Sequence, residues 1–272
     1  MWKQAAWVAV LVVLVIGVAR YSACRKPDRS SSDPSAATDL GTPAKPVRVG
    51  KPTPTDPAVA TVFEALLERW NELHAVSARV ATHLNQAIEK PGTTDGKGVY
   101  DLKKEGDKEW IHFHLDNILM IAIGGGDQMA TREILTYIRD GEFLYHLVRQ
   151  YELVTATKYR YNPDRVLQIG GPQLLRSLAE RNDLKLLPEE QIDDRATYVV
   201  EAKPKGGDWV SRHYFDKQTG IRLKLVELDE KGVETLSISL SELNFNPEFS
   251  EDLFTLIPPE GVEIVDKTQE EP

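Results

Sequence analysis

Several things are scarce in this chain. There is one cysteine, Cys24, in 272 residues. A lone cysteine forms no internal disulfide, and it cannot build a cysteine zinc site. Gly-x-Ser-x-Gly, Ser-x-x-Lys and Cys/His pairings are all missing, so the sequence offers no nucleophile motif and no enzyme is expected. The triple glycine Gly124-Gly125-Gly126 lacks the Lys and Ser/Thr of a phosphate-binding loop. Positive charge is also short. Lys and Arg number 33 against 42 Asp and Glu, a net charge of −9. The deficit lies in the body. The first 56 residues hold eight basic and four acidic side chains, leaving 25 basic and 38 acidic for the rest. So acidic a body is a poor match for a nucleic-acid backbone and for broad adhesion to anionic lipid headgroups.

What is present begins with an apolar run. Lys3 and Arg20 bracket an uncharged stretch from Gln4 to Ala19, rich in Val, Leu, Ala and Ile. As a helix it would span about 24 Å, short of the ~30 Å hydrocarbon core, but snorkelling ends and the interfacial residues Trp2 and Trp7 make spanning feasible. Three readings fit residues 1–24: an uncleaved membrane anchor, a lipoprotein signal with Cys24 as the lipidated residue, or a secretion signal. Arg20, Arg25, Lys26 and Arg29 follow the run, which by charge bias alone would hold the body inside. The character of the body argues for export instead. Residues 25–56 are rich in Pro, Ser, Thr and Ala without an aromatic, the composition of a disordered linker.

The body, 57–268, opens with Asp56-Pro57, an N-cap and first-turn signal. Val59, Val62, Phe63, Leu66, Leu67, Trp70 and Leu73 follow at helical spacing. The period then changes to two. Strands are expected over 76–88, 97–102, 109–116, 131–139, 142–150, 198–203, 209–216, 221–229 and 233–243, with a hairpin at Asp140-Gly141 and a short helix after Gly171-Pro172. Ile111, Phe113 and Leu115 alternate with His112, His114 and Asp116. Ile221, Leu223 and Leu225 alternate with Arg222 and Lys224, and Leu236, Ile238 and Leu240 with serines. This gives an α+β fold: a large curved antiparallel sheet with one dry face, wrapped as a half-barrel around two or three helices.

In order along the chain, FEALLERWNEL, GKGVYDLKKEGDKEWIHFHL, YIRDGEFLYHLVRQYELV, PQLLRSLAERNDLKLL and FNPEFSEDLFTLIPPEGVEIVD resemble the LolA/LolB-like outer-membrane lipoprotein-carrier family from about Val59 to Asp266. The resemblance implies a periplasmic or cell-envelope protein that binds the acyl chain of a lipid or lipoprotein, with no cofactor. The carriers are freely soluble, whereas this chain carries an N-terminal run that reads as a membrane anchor, followed by a linker. The resemblance also implies a second possibility, an envelope sensor that binds a protein partner with the same fold. The carriers place an Arg early in the second or third strand, whereas this chain reads Glu109-Trp110-Ile111-His112 there.

The cavity-lining residues expected on this reading are Ile111, Phe113, Leu115, Phe143, Tyr145, Leu147, Leu223, Leu225 and Ile238. Alternation marks a dry face but does not distinguish a hollow from a filled core. Ile121, Ile123 and Gly124 to Gly126 would form a lip or an ordinary strand end. His112 and His114 share a face, a spacing open to a metal, but no further ligands accompany them. Gly170-Gly171-Pro172 reads as a helix cap. Glu189-Glu190 and Asp193-Asp194 read as solvated charge.

Overall fold

The computed structural model describes residues 56–86, 92–106, 108–124, 127–162 and 166–269. The expected anchor or signal, Cys24, the linker up to residue 55, and Gly125 and Gly126 lie outside the described residues. Among those described, no helix is long and apolar enough to cross a membrane.

Helix α1 (Pro57–Glu72) starts where expected. The Asp56 carboxylate accepts from the Ala58 N–H at 2.8 Å, and Pro57 fills the first turn. Its far end is closed by Lys104 Nζ, which donates to the Trp70 carbonyl at 2.5 Å, a cation on a helix C-terminus. The chain then enters twelve strands: β1 (Ala75–Gln86), β2 (Gly92–Glu105), β3 (Lys108–Gly124), β4 (Asp127–Asp140), β5 (Phe143–Gln150), β6 (Leu153–Arg160), then helix α2 (Gly171–Arg181), β7 (Asn182–Ile192), β8 (Arg195–Pro204), β9 (Val210–Asp216), β10 (Arg222–Leu228), β11 (Glu234–Phe245) and β12 (Ile264–Asp266). They form one sheet in the order β12-β6-β5-β4-β3-β2-β1-β11-β10-β9-β8-β7. Every pairing is antiparallel except that of β12, which lies parallel to β6. Among the described residues the architecture is a large open antiparallel sheet with two α-helices.

The structure differs from expectation in three places. The segment PQLLRSLAERNDLKLL holds the expected short helix and then a strand, β7, for which no expectation was given. Asn182 Nδ2 donates to the Leu178 carbonyl at 3.0 Å and ends α2, and the period-two pattern of Leu184 and Leu186 then packs β7 on the helix core. Strands β6 and β12 were not anticipated. Finally, one sheet face is not uniformly wet. Val199, Tyr214 and Val226 form a small cluster with Leu187, Ile192 and Leu228 on the side opposite the helices.

One core cluster sits between the helices and strands β7 to β9, and buried apolar side chains continue through β1 to β5. Val59, Val62, Phe63 and Leu66 of α1 and Leu174, Leu175 and Leu178 of α2 pack on Val200, Ala202 and Phe215. The helix-covered side of the sheet is termed the inner face below.

Candidate functional site

The register places the inner-face residues in cross-strand rows, about 7 Å apart at two residues per row. One row runs Val76, Leu102, Ile111, Arg139, Leu144. The next runs Ala78, Tyr100, Phe113, Tyr137, His146, and the third Val80, Gly98, Leu115, Leu135, Val148. Most of these side chains are nearly fully buried. Aromatic rings line the second row: Tyr100, Phe113 and Tyr137 follow one another at 6.1 Å, and Tyr137 stacks on His146 at 4.3 Å. Gly98 belongs there because a Cβ would lie 1.9 Å from the His114 carbonyl oxygen.

The fourth row is different. It runs Leu225, Ile238, Thr82, Gly96, Asn117, Glu133. Leu225 and Ile238 are half-buried, whereas Asn117 is 0% and Glu133 2% exposed. Thr82 and Asn117 lean together over Gly96, each oxygen within 2.4 Å of where a Cβ would stand. Burial pushes the Glu133 carboxyl up to about 7, offset in part by Asn117 beside it.

Of the expected lining residues, Ile111, Phe113, Leu115, Leu225 and Ile238 share the inner face. Leu223 is buried at a bulge between Arg222 and Lys224. Phe143, Tyr145 and Leu147 lie on the opposite face. Tyr145 pairs with Ile138 and Leu147 with Thr136, both on the side of His112 and His114. The inner residues of β5 are Leu144, His146 and Val148. Both parities of β5 carry apolar side chains, so alternation alone could not choose between them. Outside, Lys158 Nζ lies 3.8 Å from the Phe143 ring. Ile121, Ile123 and Gly124 fall within β3, which extends to the strand end at Gly124.

The β10 bulge has a second effect. It turns Arg222, expected outside, onto the inner face, where it is buried. Its Nη1 donates to His213 Nδ1 at 3.1 Å and its Nη2 to the Gln168 carbonyl at 2.6 Å. His213 Nδ1 is therefore an acceptor, and its Nε2–H donates to Ser211 Oγ at 2.9 Å. This Ser–His contact runs opposite to a nucleophile's wiring, because a protonated Nε2 cannot take the serine proton. Burial and the Arg222 charge hold His213 neutral, well below the usual imidazole range. Arg139, the other inner arginine, donates to Glu109 at 2.6 Å and lies 3.6 Å from the Tyr161 ring. The segment between β6 and α2 is thus gripped at Tyr161 and at Gln168.

The two histidines singled out for a metal are otherwise engaged. His112 Nδ1 is 2.9 Å from Asp101 Oδ2, and His114 Nδ1 is 3.0 Å from Thr136 Oγ1. Among the described residues no group of three His, Cys, Asp or Glu gathers for a metal. Gly170 and Gly171 do more than cap a helix. A Cβ at either would strike the Trp70 ring, at 2.5 and 2.8 Å. A separate groove of about 940 Å³ opens at the end of the sheet, lined by residues that include His74, Lys103, Trp110, Asp140, Phe249 and Phe254. None of the expected lining residues borders it.

No protein-family model matches the sequence, and no curated protein is significantly similar to it. Solved structures are similar. MucB matches at 17% identity and a TM-score of 0.42, over 75% of this chain and 64% of that one. The MucA/MucB complex from Pseudomonas aeruginosa matches at 16% and 0.42, over 71% and 61%. An outer-membrane lipoprotein-sorting protein domain from Vibrio parahaemolyticus matches at 13% and 0.30, over 71% and 95%. The chain thus spans less than two thirds of the MucB chains it matches, and at these identities the likeness concerns the fold alone.

Proposed function

We propose that this chain is a membrane-tethered envelope protein that holds an acyl chain, of a lipid or a lipoprotein, on the inner face of its sheet and does no chemistry on it. The observation that supports this reading is the extent of the apolar inner face. It continues across β1 to β5 in three rows, beyond the β7–β9 region on which the helix core packs. Ten buried methylenes at about 0.8 kcal/mol each contribute roughly 8 kcal/mol, the scale of a micromolar site. An open groove with aromatic walls and both signs of charge favours a second reading, an envelope module that binds a protein partner there.

The test is native mass spectrometry with organic extraction on the full chain, purified in a perfluorinated surfactant that does not compete for acyl sites. Co-purified acyl lipid is expected, and it should be lost in Ile238→Arg. That position is half-buried, so the new guanidinium has a path to water. A clean apo mass that also ignores added acyl probes would sink the lipid reading and leave the groove.

A further inference from the structure

The inner face carries one polar patch where an acyl chain alone would need none. Asn117 and Glu133 face each other across β3 and β4, with Thr82 beside them in the same row and Thr131 one row on. These side chains are 0%, 2%, 9% and 5% exposed, respectively. Among the described residues, Thr82 Oγ1, Thr131 Oγ1 and Asn117 Oδ1 have no hydrogen-bond partner, and the Asn117 amide N–H turns to the Glu133 carboxyl beside it. Buried polar atoms in folded proteins are almost always paired, and each orphan is costly. Here they converge from β1, β3 and β4, with only Gly96 of β2 between Thr82 and Asn117.

We propose, building on the acyl-binding reading, that this patch recognises the head of a neutral acylglycerol-type ester, with the hydrocarbon lying along the apolar rows at Leu115 and Leu135. The threonine hydroxyls and the Asn117 amide N–H groups supply donors for an ester carbonyl. Asn117 Oδ1 and Glu133 Oε1 supply acceptors for a ligand hydroxyl. The charge pattern excludes an anionic head. The inner arginine of β4, Arg139, lies three rows away, roughly 20 Å along the strand. Arg222 lies on β10, five strands across from β4 and two from β1, and is taken up by His213 and the Gln168 carbonyl, so among the described residues no free cation faces the patch to neutralise a phosphate or a free carboxylate. At pH 8, above the value of about 7 to which burial pushes it, Glu133 is ionised, and a ligand carboxylate would meet it as a like charge.

The test uses the full chain in perfluorinated surfactant with three probes: diphenylhexatriene, which is wholly apolar, 1-monooleoylglycerol, and oleate. Wild type should bind diphenylhexatriene, and should bind monooleoylglycerol more tightly than oleate at pH 8. Asn117→Leu and Thr131→Val should each weaken monooleoylglycerol about tenfold while leaving diphenylhexatriene unchanged. A wild-type readout covers variants that fail to fold: isotope-edited infrared of monooleoylglycerol with a labelled carbonyl should show the ester stretch lowered by hydrogen bonding. Equal affinity for the ester in wild type and variants, or an ester stretch as in hydrocarbon, would overturn the proposal and mark the patch as a water site, with acyl binding intact. Failure of wild type to bind either neutral probe would overturn the acyl reading as well.

Discussion

Trp70 lies flat against the backbone of Gly170 and Gly171, and no side chain fits between them. Gly171 also has φ +88°, where an L-residue is strained. Gly171→Ala should therefore lose about 2 kcal/mol or more from the clash and the strained backbone together, read as a lowered urea midpoint. Buried titratable groups add a pH dependence with two opposing parts. His146 is pushed down to about 4 and His213 well below its ordinary value, so both stay neutral in the fold. The unfolded chain protonates them below about 6.5, and stability falls as pH drops from there toward 4. Glu133 acts oppositely. It holds its proton up to about 7 when folded but only to about 4.5 when unfolded, so its contribution is lost as pH rises from 4.5 to 7. Glu133→Gln should gain at most about 3 kcal/mol over wild type at pH 8 and nothing below pH 4.5. Denaturant titrations at the two pH values check this, and an equal gain at both would refute the buried-acid account.

At the scale of elements, the connection from β6 to α2 depends on β10. The Arg222 side chain donates to the Gln168 carbonyl, and its backbone N–H donates to the Ile169 carbonyl at 2.5 Å. Arg222→Met should cost about 1–3 kcal/mol and expose this connection to chymotrypsin near Tyr161, whereas the chain with Arg222 resists. Undiminished resistance in the variant would show that Arg139 and Tyr161 hold it alone. Most elements were legible because their signals are local: Asp56-Pro57 for α1, Asp140-Gly141 for the β4–β5 turn, and alternation in β3 and β11. The misses were non-local. The parity of β5 is set by its neighbours, since Phe143 and Leu144 are equally apolar. The inward turn of Arg222 follows from a bulge that no residue type announces. The polar patch did leave a trace. Asn117 continues the parity of Ile111, Phe113 and Leu115, and Glu133 that of Leu135 and Tyr137, so each is a polar residue at a position reserved for the core.

At the scale of the whole sheet, the two lateral edges are protected by different means. Strand β7 carries its own defence in Lys185, Pro188, Glu189 and Glu190, charges and a proline that discourage another strand from adding. The β6 side instead relies on three residues from far along the chain, Ile264 to Asp266, hydrogen-bonded in parallel beside Ala156 to Lys158. Ile264 and Val265 are themselves exposed, so little apolar burial holds that cover in place. Cutting the chain after Glu263 should leave the fold standing yet uncap a row of backbone donors and acceptors. Truncated molecules should then pair edge to edge into dimers, visible by light scattering, while the intact chain stays apart. The closing strand thus acts as a guard against self-pairing, since the sheet can be extended from one side only.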